Sequence, residues 1–206
     1  MPPGEVPDAD KRATLKQVAA IGAAAPFVAL GDTAEASDTP DRREALRSYV
    51  TVTPGAHFSK LRDDLGLGTG ETQYHLRQLV ATDELVTERD GEYRRYFPAN
   101  RFDAADRRAL SYLRRETPRG IVVSLLLDPS RSASELAAQL DVSPPAISSA
   151  AADLEDAGFL DRSSGAYRLQ DAERLVTLLV RYEDSFGPET ADFRRQISDR
   201  IEWIGD

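Results

Sequence analysis

HFSKLRDDLGLGTGETQYHLRQLVATDELVTERDGEYRRYFP, residues 57–98, decides how this chain folds. Its opening, His57 to Leu65, makes a short amphipathic helix: Phe58, Leu61 and Leu65 recur at i, i+3 and i+7, and Lys60, Arg62, Asp63 and Asp64 take the other faces. Gly66, Gly68 and Gly70 break it. Within the break stand Leu67, a lone apolar plug, and Thr69, which reads as the N-cap of the next helix. Along that helix, Thr72, Leu76, Leu79 and Val80 fall on one face, and Glu71, Tyr74, Arg77 and Gln78 on the opposite side. One side packs and the other is presented.

Leu85 to Arg89 and Tyr93 to Phe97 follow as two strand-like runs around Asp90-Gly91-Glu92, with Asp-Gly as the hairpin signal. Helix, turn, helix, hairpin is the order of a winged helix-turn-helix. In that fold the second helix enters a DNA major groove and the wing lies on the neighbouring backbone. Upstream, Pro40 opens a helix over Asp41–Val50 that Pro54-Gly55 stops, so the first unit spans 40–98.

The same pattern returns about 75 residues later. Ser132-Ala-Ser-Glu135 is a capping box at the head of a helix matching 57–65. Asp141-Val-Ser143 is the turn, and Ser143 to Ala157 the second presented helix, where Pro144 and Pro145 fit because they fall in its first turn. Phe159–Arg162 and Ala166–Leu169 form a short wing. Ahead of this repeat lies an amphipathic helix from Asp103, interrupted by Pro118, and the apolar run Ile121–Leu127, which marks a second core. An internal repeat of one module is stronger evidence than either copy alone. The expected fold class is therefore mainly α with small β-wings, an α+β arrangement of two winged helix-turn-helix domains in tandem. The divisions read 1–39 (disordered or helical), 40–98 (first domain), 99–170 (linker helix and second domain) and 171–206 (C-terminal helices).

Composition bounds the chemistry. The 206 residues are 41% hydrophobic and 30% charged, ordinary for a folded chain. With no cysteine and only His57 and His75 as imidazole donors, no metal site or other cofactor is expected. No nucleophile–base set or phosphate loop is visible, since Gly66-x-Gly-x-Gly70 lacks a preceding strand, so the chain does not read as an enzyme. A net charge of −9 is the wrong sign for a broad DNA-gripping surface. Arg nonetheless supplies all but three of the 26 cationic residues, a low-Lys, acid-rich bias that points to a salt-loving archaeal source. At molar salt the field of distant charges is screened within about 3 Å, so contacts must come from a few well-placed Arg.

Two ends remain. Lys11-Arg-Ala-Thr-Leu-Lys16, the small-residue run Gln17–Leu30 and Ala34-Glu-Ala36 have the order of an export signal, with Lys where a twin-arginine signal has its first Arg. Export or membrane-surface attachment through 11–36 stays a minor alternative to a cytoplasmic protein with a small N-terminal helix or tail. The run is too short to cross a bilayer, and no stable membrane insertion is expected. At the other end Asp171 caps a helix carrying Leu175, Leu178, Leu179 and Tyr182. A last helix then aligns Phe193, Ile197, Ile201 and Ile204 beside Trp203, a stripe suited to a homodimer or to folding back.

The chain resembles the tandem winged-helix transcriptional regulators of archaea, haloarchaea in particular. Pro-Gly-Ala-His-Phe (54–58), Tyr-His-Leu-Arg-x-Leu (74–79), Tyr-Phe-Pro (96–98) and Leu-Arg-Arg-Glu-Thr-Pro-Arg (113–119) carry the likeness, which covers roughly 40–185. It implies a sequence-specific DNA-binding regulator with double-stranded DNA as its partner; the C-terminal stripe adds a second copy of the chain as an expected partner, and the transcription machinery is a further candidate. On this reading Thr69, Glu71, Gln73, Tyr74, His75, Arg77 and Gln78 face the groove, and Arg89, Arg94 and Arg95 the backbone. Strand alternation allows only one of Arg94 and Arg95 on the outer face, and Tyr74 and His75 could instead cover the core edge. Glu71 is repelled by phosphate unless it accepts a hydrogen bond from cytosine. The second presented helix shows Ser148, Ser149, Ala152 and Asp153 and no base-reading Arg, Asn or Gln. That departure leaves open an alternative: a tandem winged-helix interaction module of a chromosome or transcription complex, without DNA specificity of its own.

Overall fold

In a computed structural model, residues 38–163, 165–187, 190 and 192–197 are described, and the chain divides into two compact units, Met1–Ala99 and Asn100–Asp206. The export-like stretch 11–36 lies outside the described residues.

In the first unit, helix α1 (Asp38–Val52) leads to β1 (Ala56–His57), α2 (Phe58–Leu65), α3 (Thr69–Ala81) and the hairpin β2 (Leu85–Asp90) and β3 (Tyr93–Pro98). Leu46, Tyr49 and Val50 of α1, Leu61 of α2, Leu76 and Leu79 of α3, Leu85 and Tyr96 of the hairpin and Ala56 close one core, with Leu65, Leu67 and Val80 packed on it. Leu67 is indeed the plug between the two helices. The strand β1 was not expected. Its two residues pair with Tyr96 and Arg95, giving an antiparallel sheet in the order β1-β3-β2. His57 is therefore extended rather than helical, and its Nδ1 accepts the Lys60 amide at 3.3 Å to cap α2. Thr69 is not a cap either. Gly68 takes the extended N-cap conformation, and Thr69 is the first helical residue.

The second unit runs α4 (Ala104–Leu113), α5 (Glu116–Leu127), α6 (Ala133–Gln139), α7 (Pro144–Asp156), β4 (Leu160–Asp161), β5 (Arg168–Leu169), α8 (Ala172–Arg181) and a 3-10 turn at Glu183–Ser185. Pro118 does not interrupt a helix. The break falls at Arg114-Arg115, and Pro118 sits in the first turn of α5, where no intrahelical N–H is required. Ser132 and Glu135 form the anticipated capping box, and Ser143 caps α7 ahead of Pro144 and Pro145. Asp171 precedes α8 with φ of 51° and no capping bond to the helix amides; its carboxylate accepts instead from Arg174 Nε at 2.6 Å. Arg174 also reaches Asp103 and Asp106, tying α8 to α4. Phe193 is buried, so the C-terminal stripe begins inside this unit's core; Ile201, Trp203 and Ile204 lie outside the described residues.

The repeat holds position by position at an offset of 75. Leu46 and Ile121, Leu61 and Leu136, Thr72 and Ile147, Leu79 and Leu154, and Leu85 and Leu160 are all buried. The chain reversals match too: Gly66 and Asp141, and Asp83 and Gly158, take positive φ. Asp141 and Asp83 thus serve where glycine serves in the other copy, because Asp tolerates the left-handed region better than most residues.

Candidate nucleic-acid interface

Helix α3 buries Thr72, His75, Leu76 and Leu79 and leaves Thr69, Gln73, Tyr74, Arg77 and Gln78 exposed. His75 is the correction. It is only 4% exposed, and its ring meets the edge of Tyr74 at 5.2 Å, so it belongs to the packed side and supports the aromatic residue that is presented. The remaining exposed set is suited to a groove: Arg offers a bidentate fork for guanine and Gln one for adenine, while Tyr74 presents a ring with a hydroxyl tip.

Glu71 stands half-buried in the first turn of α3. Its carboxylate accepts from Arg42 of α1 and, at 3.4 Å, from the Gly68 amide. The Arg42 hydrogen bond holds the acid below the usual carboxylate range, so it stays charged. Arg42 was not anticipated as part of the surface. Its link to Glu71 joins residues 29 apart in the chain, and no local pattern announces such a pairing. Beside it, Arg43 pairs with Glu84 and donates to Thr82 at 3.1 Å, so this flank of α3 is an Arg–Glu lattice.

The hairpin divides its arginines by strand parity. Directly opposed residues in an antiparallel ladder share a face. Leu85, Thr87 and Arg89 therefore lie on one side with Pro98, Tyr96 and Arg94. Leu85 and Tyr96 belong to the core, and Arg89 and Arg94 continue the same face outward, exposed. Burial raises the pKa of the Tyr96 hydroxyl. Arg89 and Arg94 face each other directly across the ladder, a like-charge pairing that costs the isolated hairpin stability and that an anion would relieve.

Arg95 points the other way. It is 3% exposed, holds Asp90 at 2.7 Å, donates to the Gly55 carbonyl at 3.0 Å and lies 5.8 Å from the Tyr93 ring centre. It is a structural residue of the wing and is not available to a phosphate. His57 stacks on the far end of this cluster, 4.9 Å from Tyr93, and burial with the nearby Arg95 and Lys60 charges lowers its pKa. The turn itself differs from the Asp-Gly expectation. Asp90 pairs with Tyr93, so the two-residue loop is Gly91-Glu92, with positive φ at its first position, where glycine is favoured.

In the second unit the matching helix α7 exposes Pro144, Pro145, Ser148 and Ser149. Two guanidinium groups pair with its carboxylates: Arg115 holds Asp153 at 2.6 Å, and Arg162 holds Glu155 at 2.5 Å. Its hairpin sets Asp161 against Arg168, an opposite-charge pair.

Compared with protein-family models, residues 40–110 match the HVO_0163-type N-terminal HTH domain, and residues 118–162 match the bacterial regulatory proteins of the ArsR family. The chain carries two helix-turn-helix domains in tandem. Both matched families are DNA-binding regulatory domains rather than enzymes, and the first bears a haloarchaeal name, in keeping with the acid-rich, Lys-poor composition. Neither the curated proteins nor the solved structures gave a match. Among the described residues no helix is long and apolar enough to cross a membrane, and no group of three or more His, Asp or Glu could hold a metal ion.

Proposed function

We propose that this tandem helix-turn-helix regulator reads DNA sequence through its first unit. The observation that carries the reading is the outward face of α3. Gln73, Tyr74, Arg77 and Gln78 are all exposed on a helix whose other side is fully packed, with Arg89 and Arg94 exposed on the hairpin that follows. Helix α3 lies in the major groove, Arg77 and the two glutamines contact base edges, and Arg89 with Arg94 clasps a backbone phosphate. Thr69, at the head of α3, hydrogen bonds the backbone. The second unit supports the first or binds the transcription machinery. Two copies joined through the C-terminal segment place two α3 helices on half-sites about one helical turn apart, and the bound dimer blocks or assists polymerase in the cytoplasm.

The test is fluorescence anisotropy of the full chain on genomic fragments, its own promoter included, in molar KCl, beside an Arg77→Ala variant. Selective binding that Arg77→Ala weakens by tenfold or more, with folding intact, supports the reading. Absence of selective binding by the natural chain would sink it.

A second reading has an observation of its own. Among the described residues, Arg115 and Arg162 at α7 are paired with its carboxylates, its exposed face carries prolines and serines, and the chain is strongly acidic. An interaction module built on that face would bind a protein partner as well after Arg77, Arg89 and Arg94 were removed as before.

A further inference from the structure

We propose that Glu71 is the selectivity-determining residue of this surface: its carboxylate, aimed by Arg42, accepts a hydrogen bond from the N4 amino group of one cytosine in the major groove and repels phosphate elsewhere. The inference rests on α3 being the DNA-contacting helix.

Glu71 shares a side of α3 with Tyr74 and Gln78, three and seven residues on, both exposed. It is thus at the margin of the presented face rather than behind it. An ionised carboxylate only accepts hydrogen bonds, which restricts it to base edges that donate. Adenine shows its amino group beside the N7 acceptor, which repels an acid, whereas cytosine shows N4 alone. Cytosine is the base this group fits.

Arg42 makes the arrangement workable. A lone carboxylate at a DNA surface would oppose binding altogether, but here Arg42 of α1 offsets part of its charge and aims it, and it also accepts the Gly68 amide. Both members of the pair are partly open, 39% for Arg42 and 27% for Glu71, so a third group can reach them. DNA then need not break the pair, since the carboxylate's remaining lone pairs face the base.

The experiment uses the full chain and the fragment that it selects from genomic DNA, with each C·G pair exchanged for T·A in turn. Natural protein, Glu71→Gln, Arg42→Ala and Arg77→Ala are titrated on every fragment and on random-sequence duplex, with melting curves for each variant. For the natural protein one C·G exchange costs about tenfold at the position facing Glu71. Glu71→Gln is indifferent to the exchange at that position alone and binds random duplex severalfold more tightly. Arg42→Ala loses the same cytosine preference without gaining random-sequence affinity. A Glu71→Gln profile that keeps the full base preference at every position would overturn the proposal while leaving α3 as the reader. If Arg77→Ala binds the selected fragment as well as the natural protein, the reading of α3 fails, and this inference fails with it.

Discussion

The two units use one scaffold and dispose of their charges in opposite ways. In the first, α3 shows Gln73, Tyr74, Arg77 and Gln78, and the hairpin sets Arg89 against Arg94. In the second, α7 shows prolines and serines, the hairpin sets Asp161 against Arg168, and Arg115 and Arg162 are held by Asp153 and Glu155. The buried positions match at an offset of 75, so the difference is not one of packing. Burial specifies the module; unsatisfied surface charge specifies its use. The hairpins reinforce the point, with six-residue strands in the first unit and two-residue strands in the second.

The comparison can be broken most sharply within the first hairpin. Arg95→Ala removes one partner of a buried ion pair and should cost about 3–5 kcal/mol in urea denaturation. Arg162→Ala, which opens a partly exposed pair in the second unit, should cost much less. Equal losses would mean that the arginines of the two hairpins do not differ in role.

Next in size is the effect on binding. Replacing Arg77, Arg89 and Arg94 together by Ala should weaken selective binding by about 100-fold or more in molar KCl, given roughly 1–3 kcal/mol per well-made base contact. A Ser148→Ala, Ser149→Ala double variant in α7 should stay within about twofold on the same titration. A loss from the α7 variant as large as that from the first unit would abolish the proposed asymmetry.

A smaller effect separates the two cores. Gly120 and Leu140 correspond by the 75-residue offset to Ala45 and Leu65. A Cβ at Gly120 would come within 2.6 Å of Leu140, while Ala45 and Leu65 line a small groove beside Arg42. Gly120→Ala meets only the movable end of the half-buried Leu140 side chain, and its displacement is offset by the roughly 1 kcal/mol that Ala gains over Gly in a helix, so the unfolding midpoint of the second unit should change little. Ala45→Gly, which relieves no contact, should cost the roughly 1 kcal/mol that a helix glycine carries.

The smallest effect is a pH dependence. His57 has its pKa lowered in the folded chain from the ordinary 6.5, so the unfolded chain binds the proton more readily. Its stabilising contribution is complete above that value and fades as pH falls through the depressed one. His57→Gln should flatten this part of the stability profile, measured as the difference between variant and natural chain across that acid window. No difference in slope would remove His57 from the account of the wing.

Much of this was legible in the residues. Helical spacing placed Leu61, Leu76 and Leu79 inside, the Ser132–Glu135 box and the Pro144-Pro145 start placed the second pair of helices, and the bare α7 face could be read directly. What escaped was tertiary. Strand β1 is two residues whose partners lie about 40 positions away, too short to carry a periodicity. Arg95 reads like Arg94 in sequence, and only the strand register and the Gly55 carbonyl consign it to the interior. His75 lies at the border of the helix's two faces, where a wheel cannot assign it. The Arg42–Glu71 pair depends on how α1 crosses α3.

The Arg89–Arg94 pairing has a consequence for solution conditions. Two guanidinium groups face to face draw an anion from whatever the medium offers, so on the proposed reading a phosphate of DNA must displace a small competitor from that spot. Affinity should then follow the identity of the salt's anion as well as its concentration. At equal molarity, potassium glutamate, whose bulky anion competes poorly, should give tighter binding than potassium chloride, and an Arg89→Ala, Arg94→Ala chain should lose most of that difference.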